Sequence, residues 1–75
     1  MPAETMEKRV EIVTKPFGGP SQANQAKKSA EFSFKNELEG GSVRIGANNE
    51  VILSVLESGV ERVRDTLAHQ GNLPR

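Results

Sequence analysis

A chain of 75 residues with ten basic and ten acidic side chains carries no net charge, and it has no cysteine. At this size a folded chain buries only about 60% of its unfolded surface, which points to one small domain with a slim core. Lack of cysteine excludes disulfides and thiolate metal sites, and lack of a basic excess excludes nucleic-acid binding by bulk charge.

No apolar run exceeds Val51–Leu53, far short of a membrane span. The opening MPAETMEKR lacks the apolar stretch of a secretory signal. A reducing cytoplasm is the expected compartment, and no membrane partner is expected. Residues 1–7 are polar and are expected to form a flexible N-terminus ahead of a single domain over 8–70.

Residues 8–15, KRVEIVTK, are rich in β-branched types and read as a strand. Val10 and Ile12 share one face, while Arg9, Glu11 and Val13 share the other. Val13 is apolar on the polar side, which suggests a covered face or a partner nearby. Pro16 ends the run, because proline has no amide hydrogen for a ladder. Residues 16–30 hold two prolines and two glycines near their start, and beyond alanine they have no apolar stripe. The expectation is a long mobile loop with at most a transient helix from Ser21 to Lys28.

Residues 31–38, EFSFKNEL, alternate, with Phe32, Phe34 and Leu38 on one face and Ser33, Lys35 and Glu37 on the other. Gly40-Gly41 supplies a turn, after which Val43 and Ile45 resume the apolar face and Arg44 points away. These runs read as a β-hairpin. From Ile52 the spacing changes: Ile52, Leu56, Val60, Val63 and Leu67 fall on one helical stripe, with Asn49 as N-cap and Gly71 as C-terminal cap. The competing reading makes VILSVL a buried strand, followed by a shorter helix behind Ser58-x-x-Glu61. Gly59, inside the stripe, is expected to let the helix approach the sheet opposite Phe32 or Phe34. Residues 71–75 are expected to be a flexible C-terminus.

The fold class that follows is α+β. A three-stranded antiparallel sheet is covered on one face by a single C-terminal amphipathic helix, with a long loop between the first two strands.

Motifs for chemistry are sparse. His69 is the sole histidine and sits in the last helical turn, where a cation relieves the helix dipole. Glu57, Glu61, Asp65 and His69 repeat every fourth residue, but ligands in single file cannot surround an ion. Neither glycine pair has phosphate-loop spacing. No catalytic residue, cofactor or metal is therefore expected. Val43-Arg44-Ile45-Gly46 resembles part of a strand in the carbon storage regulator family of small RNA-binding dimers, and Glu11-Ile12-Val13-Thr14 resembles that family's opening strand. The likeness ends with those two stretches. The strand and His-Arg-Glu segment that follow in the family have no counterpart here, so the resemblance assigns no role to any residue.

The expected function is that of a non-enzymatic protein-binding module, an inhibitor, adaptor or accessory factor of the kind that phages and mobile elements encode. Its contact residues are expected to be Phe17, Lys27 and Lys28 on the loop and Glu57, Glu61 and Asp65 on the helix ridge. An open strand edge, exposed Val13 and a slim core suggest a homodimer. The alternative is a nucleic-acid-binding regulator using Lys15, Lys35 and Arg44 on the outer sheet face.

Overall fold

A computed structural model describes residues 8–74. The elements run β1 (Arg9–Val13), α1 (Pro20–Ser33), α2 (Lys35–Leu38), β2 (Val43–Ile45), β3 (Val51–Leu56), a 3-10 turn (Glu57–Gly59) and α3 (Val60–His69). The sheet is three-stranded, with order β1-β3-β2 and both pairs antiparallel. This is a small α+β fold with a C-terminal helix. Because β1 and β2 both run against β3, β1–α1–β2 is a βαβ unit whose strands are split by β3. The N-terminal segment 1–7 and Arg75 lie outside the described residues.

Three expectations about individual elements are corrected. The expected loop over 16–30 is largely helix, because Pro20 occupies a first-turn position that needs no amide hydrogen and good helix formers follow it. The expected strand over 31–38 is also helical. Ala23, Ala26, Ala30, Phe34 and Leu38 recur every three or four residues; Ala23 is buried, and the other four pack into or against the core beneath the sheet. Small alanines let α1 lie close to the strands. The chain stays nearly helical across Phe34, whose amide bonds Ala30 O and whose carbonyl accepts from Leu38. Residues two apart on a helix point about 200° apart, so Phe32 and Phe34 cannot share a face: Phe34 is 1% exposed and Phe32 86%.

The third correction concerns residues 51–56, which form the central strand rather than the start of a long helix. Val51, Leu53 and Val55 point into the core, and Ile52, Ser54 and Leu56 are half-buried on the other face. Asn49 is accordingly not an N-cap. It sits at φ 62 in the turn between β2 and β3, a conformation asparagine tolerates better than most residues. The Glu50 carboxylate accepts the Asn48 amide within that turn at 2.9 Å. Only the last part of the proposed stripe is helical: Val60, Val63 and Leu67 face the core from α3. Gly71 caps this helix at φ 75, with the Asn72 amide donating to Leu67 O.

One core lies between the sheet and the helical layer. It joins Ile12, Val43, Val51, Leu53 and Val55 to Ala30, Phe34 and Leu38 on one side and to Val63 and Leu67 on the other. α1 packs over β2 and β3, whereas α3 packs against β1. Gly59 does make a close approach, but to Glu37 of α2 rather than to a phenylalanine: an added Cβ would stand 2.6 Å from the Glu37 Cγ. Arg62 reaches the Glu37 carboxylate at 3.5 Å, closing the same joint. Among the described residues Thr14 is the one buried polar side chain, and it is fully used. Its hydroxyl accepts the Val51 amide and donates to Lys15 O, each at 2.9 Å.

Among the described residues no helix covers the opposite sheet face. Across it Arg44 donates to Glu11 at 3.2 Å, and Arg9 donates to the carbonyls of Ser54 and Glu39. Gly41 makes room for that arginine, since a Cβ there would collide with its guanidinium.

Candidate functional site

The pocket between α1, Thr14 and the C-terminal tail is about 40 Å³, room for a few water molecules but not for a metabolite, and the larger depressions beside Leu73 and beside His69 are shallow and open to solvent. Among the described residues no three of His, Asp and Glu stand close enough to hold a metal ion. No described helix is long and apolar enough to cross a membrane. Exposed surface features therefore carry whatever can be read.

The structure separates the residues that sequence reasoning grouped together. Phe17 is half-buried against the core and its amide bonds Asn49 O, so it serves as a satellite of the core. Lys27 is engaged on α1 by Glu31 at 3.7 Å. Lys28, next to it in sequence, is exposed and makes no ion pair among the described residues. Glu57 lies in the 3-10 turn, one element before Glu61 and Asp65, which are exposed one turn apart on α3. The acidic ridge is thus shorter than the sequence spacing implied.

The three basic residues of the alternative reading do not form one patch. Lys35 opens α2 and so belongs to the helical layer. Arg44 lies on the outer sheet face with its charge in the ion pair to Glu11. Lys15 follows β1, and its amide bonds Asn72 O beside the C-terminal tail. The outer sheet face, moreover, has no aromatic side chain on which a base could stack.

What sequence reasoning missed is Phe32. It stands on the solvent side of α1, and Lys28 precedes it by one helical turn on the same face. Lys35 follows at the start of α2, also exposed. A signal for this was present, since the stripe from Ala23 to Leu38 steps over Phe32. An exposed phenylalanine flanked by lysines that make no ion pair among the described residues can do two things: its ring can fill an apolar socket, and the ammonium groups can meet carboxylates at the socket's rim.

Comparison with family models, with curated proteins and with solved structures finds no match to this chain. Its surfaces have to be read on their own geometry.

Proposed function

We propose that this protein is a small non-enzymatic protein-binding module, acting as an inhibitor, adaptor or accessory factor in a reducing cytoplasm. The observation that supports the reading is Phe32, a large apolar ring held 86% exposed on a regular helix. Aromatic side chains of this kind dominate the binding energy of protein interfaces when a partner buries them. Burying one phenylalanine contributes about 1.5–3 kcal/mol. Lys28 and Lys35 beside it favour a partner surface with acidic residues around an apolar depression.

The test is affinity capture from lysate treated with nuclease, comparing the native chain with Phe32→Ala and with Lys28→Glu/Lys35→Glu. Each variant is checked for unchanged circular dichroism. The expected result is a protein that the native chain retains and both variants lose, with the alanine change weakening its Kd roughly thirtyfold, or about 2 kcal/mol. A partner held equally by all three chains, or one released by nuclease, would overturn the proposal.

A further inference from the structure

The two long helices each turn a charged face away from the sheet. Ala30 and Phe34 bring α1 into the core, and Val63 and Leu67 bring α3 into the same core. A residue midway between two such positions is two steps from each, about 200° round the helix, and so points outward. On α1 that residue is Phe32, and on α3 it is Asp65. The helices lie side by side, since Ser29 and Ser33 of α1 line one small pocket with Leu67 and Gln70. Phe32 and Asp65 therefore belong to one outer surface.

The two halves of that surface differ in charge. The α1 half carries the exposed Lys28 and Lys35 beside the Phe32 ring, and neither lysine makes an ion pair among the described residues. The α3 half carries Glu61 and Asp65, both exposed and likewise outside those ion pairs. Next to them is an open depression bounded by Asp65, Thr66 and His69. Other charges nearby are accounted for. Glu31 is engaged by Lys27, and Arg62 by Glu37. Arg64, two residues from Arg62, is turned to the opposite flank of α3.

We propose that this surface binds a second copy of the chain about a twofold axis, with α1 of each copy on α3 of the other. The inference rests on the reading of Phe32 as a contact residue, and it names the partner that carries acidic groups around a depression. Charge disfavours the other two symmetric arrangements. Placing α1 on α1 sets Lys28 and Lys35 against their own copies, and placing α3 on α3 does the same with Glu61 and Asp65. Crossing the halves sets lysines against carboxylates and each Phe32 ring against the depression at His69. A twofold axis makes that contact twice. Zero net charge leaves no overall repulsion between the copies.

Sedimentation of the purified full chain tests this, from micromolar to millimolar concentration and at low and high salt. The expected result is a monomer–dimer equilibrium that weakens as salt rises. Phe32→Ala removes a ring from both halves of the dimer and should weaken it about a hundredfold or more. Lys28→Glu/Lys35→Glu and Glu61→Lys/Asp65→Lys should each be monomeric alone, with unchanged circular dichroism. Mixed in equal amounts they should form a dimer again, because the crossed contact then pairs opposite charges on both sides of the axis. If a double variant misfolds, the single changes Lys28→Glu and Asp65→Lys serve in the same way. The proposal is overturned by a monomer at every concentration, by a dimer that survives Glu61→Lys/Asp65→Lys, or by a mixture that stays monomeric. A monomer whose Phe32 still captures a different protein would overturn this dimer and leave the proposed function standing. A Phe32-dependent dimer that captures no other protein would support the dimer and remove the wider binding role.

Discussion

Residues 31–38 and residues 51–56 present the same ambiguity and resolve it in opposite directions. EFSFKNEL alternates like a strand and is helical; VILSVL extends a helical stripe and is a strand. In each case a short run satisfies two periods at once, and the side-chain types break the tie. Half of residues 51–56 (Val51, Ile52 and Val55) are β-branched, which crowds a helical turn and packs well on a pleated surface. Residues 31–38 contain none, and they follow a run of alanine, glutamine and lysine that already favours helix. Over six to eight residues, then, the identity of the side chains is a better guide than their spacing.

The sharpest way to break this comparison is to truncate the two phenylalanines. Phe34→Ala should cost about 3–5 kcal/mol, because it empties the centre of the core. Phe32→Ala should stay within about 0.5 kcal/mol, as a surface change does. Urea unfolding of the pair checks this, and equal losses would restore the alternating strand. In the other region Leu53→Ala should cost about 2–5 kcal/mol and Ile52→Ala clearly less, since only Leu53 is fully buried. The long helix predicts the reverse order for that pair. A smaller destabilisation than those of the core truncations is expected at the joint between α2 and the turn that follows β3. Gly59→Ala forces a methyl against Glu37 of α2 and should cost about 1–3 kcal/mol, read as a lower melting temperature with unchanged secondary structure. A neutral result would mean that α2 can yield and that the helical layer is looser than its contacts imply.

The interaction surfaces were less legible than the fold. From sequence Phe17, the aromatic outside a regular element, is open to two readings, a satellite of the core or an exposed anchor. In the folded chain that loop position is the one pressed against the core, while the aromatic on a regular helix faces solvent. Burial follows from which helical face meets the sheet, and that could not be known while residues 31–38 were read as strand.

By itself the sequence determined the outer elements: the alternation of β1, the stripe of Val60, Val63 and Leu67, the glycine that ends α3, and an α+β chain with a three-stranded antiparallel sheet. These are local patterns in which propensity, periodicity and capping agree. Tertiary structure alone decided that β3 lies between β1 and β2 and that Phe34 rather than Phe32 enters the core. Each of these depends on hydrogen bonds and contacts between segments distant along the chain, which the spacing within a short two-period run does not reveal.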